Sequence, residues 1–240
     1  MKICGHRGAS GYAPENTLEA FQLAAEQGAD AVELDVHLTR DGALLVAHDE
    51  KIDRVSDGTG LIAEQTLAQL KKFNFNRLHP EYENAKAPTL SEVYELLKPL
   101  GLVINVELKT GINPYPGIEE KALELAAKMG MEDRVLYSSF NHASLERLQA
   151  LKPDAYCGAL YDGILLRPWR YARDNKLNAL HPHYRNVIFL PEYCRKAHKA
   201  GIEMNVWTVN SEREMKAMIE AEVDMMITNY PDRARAMLSL

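Results

Sequence analysis

Short apolar runs alternate with longer segments in which apolar residues recur at helical spacing, about eight times along the chain. Continuous apolar runs are typical of strands covered on both faces, whereas a period near 3.6 residues is typical of helices packed on one side. The alternation predicts parallel strands joined by helices. Eight repeats within 240 residues favour an α/β fold of the (β/α)₈ TIM-barrel type over an open, doubly wound sheet.

These runs and the local turn signals place the predicted elements. The predicted strands are 2–5, 31–38, 102–108, 135–138, 156–160, 179–180, 203–206 and 225–227. The predicted helices are 17–27, 91–98, 118–129, 143–151, 168–175, 191–200, 211–221 and 231–238. Asn16 followed by Glu19 has the spacing of an N-terminal capping box, so we expect Asn16 to cap the first helix.

One segment interrupts the alternation after the second strand. The Asp41-Gly42 pair predicts a tight turn, after which 43–47 would pair back on strand 31–38. Residues 50–88 are then too many for a plain loop and contain a helical run at 66–72. We expect a single domain over residues 1–240, in which segment 50–88 is an inserted cap at one end of the barrel.

Composition excludes several functional classes. A net charge of −6 argues against nucleic-acid binding, which depends on neutralising phosphates with basic side chains. Cys4, Cys157 and Cys194 are scattered and odd in number, which is typical of a reducing compartment. The chain lacks an apolar run of membrane-spanning length. We therefore expect a cytoplasmic protein without stable membrane association, and the sequence leaves its oligomeric state open.

Three carboxylates share one face of two predicted strands. Glu33 and Asp35 alternate with apolar residues in 31–38, as Glu107 does in 102–108. The apolar side chains would face the helices, so the acids would point into the barrel mouth. A salt-bridged pair on an edge strand is the alternative, but clustered buried acids are costly unless a cation neutralises them. This predicts an all-oxygen site for one divalent cation, Mg²⁺ or Ca²⁺ with Mn²⁺ possible, rather than Zn²⁺.

Basic residues end the strands at the same rim. His6 and Arg7 close the first strand, His48 ends the hairpin strand, and Lys109 lies one strand repeat beyond Glu107. An arginine can grip two phosphate oxygens, and two histidines can supply a general acid and a general base. The residues indicate a metal-dependent phosphodiesterase, although the pattern does not say which histidine is the acid.

Two aromatic residues follow strands later in the chain. Trp207 comes after strand 203–206, and Phe140 comes after strand 135–138. Either could form an apolar wall against the substrate at the barrel mouth. Simple core packing is the commoner role of an aromatic side chain.

Short motifs that include most of these residues run through the chain in order: Gly5-His6-Arg7-Gly8, Pro14-Glu15-Asn16-Thr17, Glu33-Leu34-Asp35-Val36, Thr39-Arg40-Asp41-Gly42, His48-Asp49, Asn105-Val106-Glu107-Leu108-Lys109, Ser139-Phe140, Val206-Trp207-Thr208-Val209-Asn210 and Thr228-Asn229-Tyr230-Pro231. The ordered set resembles the glycerophosphodiester phosphodiesterase family over nearly the whole chain. The resemblance implies a TIM barrel with a cap inserted after the second strand. It also implies metal-dependent hydrolysis of deacylated phospholipids, such as glycerophosphocholine or glycerophosphoethanolamine, to sn-glycerol 3-phosphate and an alcohol.

The resemblance also implies roles for individual residues. His6 and His48 would be the general acid–base pair, and Arg7 would bind the phosphate, with Lys109 assisting. Glu33, Asp35 and Glu107 would be the ligands of a divalent cation, commonly Mg²⁺ or Ca²⁺ in this family.

Three alternatives remain open at this point. A lipid-directed relative would need an apolar surface at the mouth to contact acyl chains, and Phe73, Phe75 and Tyr82 of segment 50–88 could provide it. A non-catalytic barrel could bind a phosphorylated ligand without turnover. A metal-dependent amidohydrolase would need paired histidine ligands on the first strand, where only His6 is found.

Overall fold

The computed structural model describes residues 1–238, and these contain nine strands. The strands are β1 Lys2–His6, β2 Ala31–Leu38, β3 Leu44–Val46, β4 Val103–Leu108, β5 Val135–Ser139, β6 Cys157–Tyr161, β7 Ala179–Pro182, β8 Glu203–Val206 and β9 Met225–Thr228. They lie in the order β1-β9-β8-β7-β6-β5-β4-β2-β3, and β1 also pairs with β2. Eight parallel strands thus close into a barrel, while β3 pairs antiparallel with the end of β2. The predicted TIM barrel is confirmed.

Helices connect the parallel strands on the outside of the barrel. They are α1 Leu18–Glu26, α2 Leu67–Leu70, α3 Leu90–Leu97, α4 Ile118–Met129, α5 His142–Leu151, α6 Pro168–Asp174, α7 Arg185–Phe189, α8 Glu192–His198, α9 Glu212–Glu220 and α10 Pro231–Leu238. Each predicted helix is present, with bounds that differ by a few residues. The short helix α7 was not predicted. Within residues 1–238, each helix is too short or too polar to cross a lipid bilayer.

Strand β2 shows how the sequence pattern orients the barrel. Val32, Leu34 and Val36 are fully buried in the main hydrophobic cluster, which also contains Phe21 of α1 and Leu97 of α3. The alternate residues of β2 therefore point to the barrel interior, because side chains on a strand alternate between its faces. This alternation carries Glu33 and Asp35 into the barrel, as the sequence predicted.

The start of α1 differs from the prediction. Thr17, not Asn16, is the N-cap residue, and its side chain accepts a hydrogen bond from the amide of Ala20. Asn16 has φ of 59°, a left-handed conformation that asparagine tolerates better than most residues. Its side chain points instead to Asp35, and the expected capping role of Asn16 is wrong.

Segment 50–88 packs against the barrel through a hydrophobic cluster of its own. Ile52, Ile62, Leu70 and Phe75 are buried there against Leu45 of β3. A short 3₁₀ turn at 62–64 and helix α2, which begins with a complete capping box at Thr66, are the regular elements inside the segment. The segment is thus anchored beside the carboxyl end of β2, where β3 also pairs.

Candidate active site

The three predicted carboxylates meet at the carboxyl end of the barrel. Strand register places Asp35 of β2 directly beside Glu107 of β4, with Glu33 two residues away on the same face of β2. One oxygen from each of the three acids lies within 4.8 Å of the other two. Their exposed fractions are 4% for Glu33, 1% for Asp35 and 8% for Glu107. The acids form one buried cluster, as the sequence predicted.

The electrostatics of this cluster fit a divalent cation. Burial and the charges of Asp35 and Glu107 raise the pKa of Glu33 well above its usual value, and burial and Asp35 raise the pKa of Glu107. Burial opposes ionisation of Asp35 as well, but Lys109 and Arg7 hold its pKa well below the usual range. When all three are ionised, the carboxylates carry more negative charge than Lys109 and Arg7 neutralise, and a bound cation would balance the remainder.

One carboxylate oxygen of Asp35 is held by a hydrogen bond, and the other makes none among the described residues. Its Oδ2 accepts a hydrogen bond of 2.9 Å from Asn16 Nδ2. Its buried Oδ1 has no hydrogen-bond partner among residues 1–238, and Lys109 Nζ lies 3.4 Å away. A buried carboxylate oxygen without a hydrogen bond is uncommon, and Oδ1 is free to act as a ligand of a cation. The acid cluster can therefore bind a metal.

Lys109 and Arg7 approach the acids from two strands. Lys109 Nζ is 2.9 Å from Glu107 Oε1. The backbone amide of Arg7, at the end of β1, donates to Glu33 Oε2 at 2.9 Å, and the Arg7 Nε is 3.4 Å from Asp35 Oδ2. Arg7 has φ of 56°, so the chain turns sharply at the strand end and brings both its amide and its guanidinium to the cluster.

His6 is fixed by a residue near the other end of the chain. Its Nδ1 lies 2.7 Å from Asn229 Oδ1, and because this amide oxygen only accepts, Nδ1 carries the proton. Burial and the nearby Arg7 lower the pKa of His6 to about 3. His6 is therefore neutral near pH 7, and its Nε2 carries a lone pair that can accept a proton.

His48 has a different partner. Its Nδ1 lies 2.6 Å from Asp49 Oδ1, so this nitrogen donates to a carboxylate. Its backbone carbonyl accepts a hydrogen bond from Nε2 of His37, which is fully buried on β2. Tyr115 Oη is 3.0 Å from the other ring nitrogen of His37. His37 thus supports the position of His48 and takes no direct part in the site.

A chain of alternating charges joins Arg7 to His48. Arg7 Nη1 donates to Glu15 Oε1 at 2.9 Å. Arg54, from segment 50–88, donates to both oxygens of Glu15 at 2.7 and 2.8 Å, and its Nε donates to Asp49 at 2.6 Å. Asp49 in turn holds His48. The two ends of the site are therefore connected through a side chain of the inserted segment.

A cavity of about 90 Å³ opens beside the histidines and acids. It is lined by His6, Arg7, Glu33, His48, Asn105, Glu107, Ser138, Phe140, Leu160, Trp207, Thr208 and Ile227. The rings of Phe140 and Trp207 pack edge to face, with centroids 5.5 Å apart. Seven of the nine site residues predicted from the sequence line this cavity. The other two contact lining residues: Asp35 pairs with Arg7, and Lys109 pairs with Glu107.

Four residues of this site were not predicted from the sequence to belong to it. Glu15, Asn16 and Asn229 lie inside motifs quoted above, and Arg54 lies in the segment treated as a cap. Their contacts join positions up to 223 residues apart, for which local patterns give no signal. The positive φ of Asn16, which aims it at Asp35 rather than at the helix, is equally invisible in the sequence.

Comparisons with known proteins agree with this geometry. The model of the glycerophosphoryl diester phosphodiesterase family matches residues 6–233. A glycerophosphodiester phosphodiesterase from Caldanaerobacter subterraneus is 41% identical and is aligned over 96% of this chain and 94% of its own length. One from Bacillus altitudinis is 40% identical, with 97% and 96% covered.

A solved structure shows the same fold. A phosphodiesterase from Oleispira antarctica, in complex with the product sn-glycerol-3-phosphate, superposes with a TM-score of 0.92 at 30% identity. The superposition covers 100% of this chain and 97% of that one. The chain therefore belongs to the glycerophosphoryl diester phosphodiesterase family and is an enzyme of that family.

Proposed function

We propose that this enzyme hydrolyses small glycerophosphodiesters, such as glycerophosphocholine and glycerophosphoethanolamine, to sn-glycerol 3-phosphate and an alcohol. The observation that carries the proposal is the buried cluster of Glu33, Asp35 and Glu107 beside a cavity lined by His6 and His48. The product seen in the Oleispira antarctica phosphodiesterase supports this choice of substrate class.

Glu33, Asp35 and Glu107 would hold one divalent cation. Oxygen ligands alone favour Mg²⁺ or Ca²⁺, or Mn²⁺, over Zn²⁺. When bound, the cation would supply positive charge that stabilises the developing negative charge on the phosphate oxygens.

Arg7 and Lys109 add fixed positive charge on the same side. Within residues 1–238, the Nη2 of Arg7 makes no hydrogen bond, so it can donate to a phosphate oxygen while Nη1 stays anchored on Glu15. Lys109, held by Glu107 and Asp35, is charged throughout the physiological pH range because these two acids outweigh the effect of burial and raise its pKa. Charges fixed before the reaction cost little reorganisation when the transition state forms.

The hydrogen bonds of the two histidines support different roles for them. Neutral His6, with Asn229 on Nδ1, takes the proton of the nucleophile at Nε2. His48 gives a proton to the leaving alcohol from Nε2, because its Nδ1 donates to the carboxylate of Asp49, which would stabilise positive charge on the ring. Each ring is fixed through Nδ1, which leaves Nε2 of each for the reaction.

The remaining parts of the site shape its mouth. We propose that Phe140 and Trp207 form an apolar wall against the substrate, and that segment 50–88 is a cap within a single domain spanning residues 1–240. The contact of Arg54 with Glu15 and Asp49 supports a cap that takes part in ordering the site. The net charge of −6 supports a small-molecule substrate rather than a nucleic acid, and we propose a cytoplasmic location.

Release of sn-glycerol 3-phosphate from glycerophosphocholine tests the proposal. We expect turnover with Mg²⁺, Ca²⁺ or Mn²⁺, loss of activity after treatment with EDTA, and recovery when the metal is restored. Activity that survives full removal of divalent ions would contradict the metal requirement. Absence of product with every metal and with both glycerophosphodiesters would contradict the substrate class.

Metal binding should release protons and strengthen as pH rises. Because the pKa of Glu33 and that of Glu107 are raised in the metal-free protein, part of the cluster is protonated there, and a cation must displace these protons. We expect titration calorimetry in buffers of different ionisation enthalpy to show proton release, and affinity to rise with pH over the range above the usual pKa of a glutamate. Equal affinity across this range with no proton release would contradict the electrostatic account of the cluster.

Arg54→Gln should lower kcat about tenfold, because the misplacement of His48 and Arg7 weakens catalysis without removing a reacting group. Arg54→Lys should recover only part of the loss, since lysine cannot bridge Glu15 and Asp49 as a guanidinium does. The unfolding midpoint should change little, because Arg54 is 42% exposed and such ion pairs add little stability. Arg40→Gln, at an exposed arginine that contacts Gln69, is the matched control, and an unchanged kcat in Arg54→Gln would contradict the positioning role.

A further inference from the structure

Large apolar side chains are exposed together on one part of the barrel mouth. Leu166 is 95% exposed, Phe189 63%, Ile164 52% and Leu165 39%. They belong to the loop 162–167 after β6 and to helix α7 after β7. Contiguous exposed apolar residues usually mark a binding surface, because leaving them in water has a free-energy cost. We call the set Ile164, Leu165, Leu166 and Phe189 the apolar rim.

The apolar rim lies at the same end of the barrel as the catalytic residues but across the mouth from them. In the closed strand order, β6 is four strands from β1 in either direction, so its loop is opposite His6 and Arg7. Both segments of the rim follow the carboxyl ends of parallel strands, where the cavity also opens. A surface that contacts the rim would therefore face the entrance of the active site.

Direct contacts fix the two segments of the rim side by side. Asn186 Nδ2 of α7 donates to the carbonyl of Asp162 at 3.0 Å. The hydroxyl of Tyr193, on α8, donates to the carbonyl of Leu165. The ring of Tyr193 also packs edge to face on Trp169, with centroids 5.7 Å apart. These contacts hold the loop 162–167 against α7 and α8.

The charge around the rim is opposite in sign to that of the whole chain. Residues 162–174 contain three arginines, Arg167, Arg170 and Arg173, and two acids, Asp162 and Asp174, and α7 adds Arg185, so this region carries a net positive charge in a chain of net charge −6. Arg173 is paired with Asp174. Arg167, Arg170 and the neighbouring Arg185 are exposed and form no ion pair within residues 1–238. Leucine and phenylalanine flanked by arginines are the combination that binds an anionic lipid surface.

We propose that the apolar rim docks reversibly on an anionic phospholipid bilayer, with Leu166 and Phe189 inserted into the headgroup region and Arg167, Arg170 and Arg185 at the lipid phosphates. A second copy of this chain is a poorer occupant, since a two-fold contact would place the same arginines against each other. Docking would turn the active-site entrance towards the membrane. It would be a peripheral and salt-sensitive association, not an anchored one.

Co-sedimentation with lipid vesicles tests the proposal without substrate or metal. We expect binding to vesicles of phosphatidylcholine with phosphatidylglycerol, weak binding to pure phosphatidylcholine, and release when salt rises from about 50 mM to about 500 mM. The double variant Leu166→Ser/Phe189→Ser should lower partitioning about tenfold. Arg167→Gln and Arg170→Gln should each lower it about fivefold.

The matched control is Leu100→Ser, which removes a leucine that is 42% exposed before β4, at the opposite end of the barrel. It should partition like the wild type. All these variants should hydrolyse a water-soluble glycerophosphodiester at the wild-type rate, which shows that they are folded and separates this proposal from the proposed function. Equal partitioning of wild type and rim variants would overturn the proposal. A wild-type dimer that becomes a monomer in Leu166→Ser/Phe189→Ser, without vesicle binding, would also overturn it and assign the rim to a contact between copies.

Discussion

Glu107→Gln should lower kcat/KM by at least about 100-fold, which corresponds to a transition-state loss of about 3 kcal/mol. The substitution keeps the size of the side chain but removes one of three negative charges within the cluster. The remaining pair would bind the cation more weakly, so part of the loss should be recovered at high metal concentration. Measurement of kcat/KM over a series of Mg²⁺ and Mn²⁺ concentrations checks both expectations.

The loss in Glu107→Gln should not reflect misfolding. Burial and Asp35 raise the pKa of Glu107, so its ionised form is less favourable in the folded state than in the unfolded chain. Because the raised pKa means that this charge opposes folding, removing it should leave the unfolding midpoint of the metal-free protein unchanged or higher at neutral pH. Glu95→Gln, at an exposed glutamate on α3, is the matched control and should retain normal activity. Normal metal dependence and kinetics in Glu107→Gln would contradict its assignment as a ligand.

His6→Gln and His48→Gln should each lower kcat by about 10²- to 10⁴-fold with glycerophosphocholine, the range expected for loss of a general acid or base. The two variants should differ with an activated substrate. A p-nitrophenyl phosphodiester of glycerol has a leaving group that needs no proton. The His48 variant should therefore recover most of its rate with this substrate, whereas the His6 variant should remain impaired.

His198→Gln is the control for these two variants, because His198 pairs with Asp224 at a part-exposed position away from the cavity. It should behave as the wild type with both substrates. Recovery of the His6 variant instead of the His48 variant would reverse the assignment of acid and base. Recovery of neither would show that loss of proton transfer to the leaving group is not what limits either variant.

The barrel and the acid cluster could be predicted because both depend on local periodicity. Alternation within β2 sends Val32 and Leu34 to the helices and Glu33 and Asp35 inwards, whatever the rest of the chain does. Strand neighbours in a parallel barrel then bring Glu107 beside Asp35. The shortest predicted strand, 179–180, is also present, as β7, because a closed eight-stranded barrel requires a strand between β6 and β8.

The groups that orient the proposed catalytic residues could not be predicted in this way. The contact of His6 with Asn229 joins residues 223 positions apart, and that of Arg54 with Glu15 joins residues 39 apart. Such pairs depend on how loops meet after the barrel has closed. Asn16 shows that a local pattern can also mislead. Its spacing from Glu19 predicts a helix cap, but its left-handed backbone directs the side chain to Asp35.

We propose that residues from β2 and β4 bind one cation beside the two histidines. Anomalous diffraction from crystals grown with Mn²⁺ tests it most directly. We expect one strong peak within about 2.6 Å of oxygens from Glu33, Asp35 and Glu107, and its loss in Glu107→Gln crystals. A peak bound by other residues, or none at a Mn²⁺ concentration that supports full activity, would contradict it.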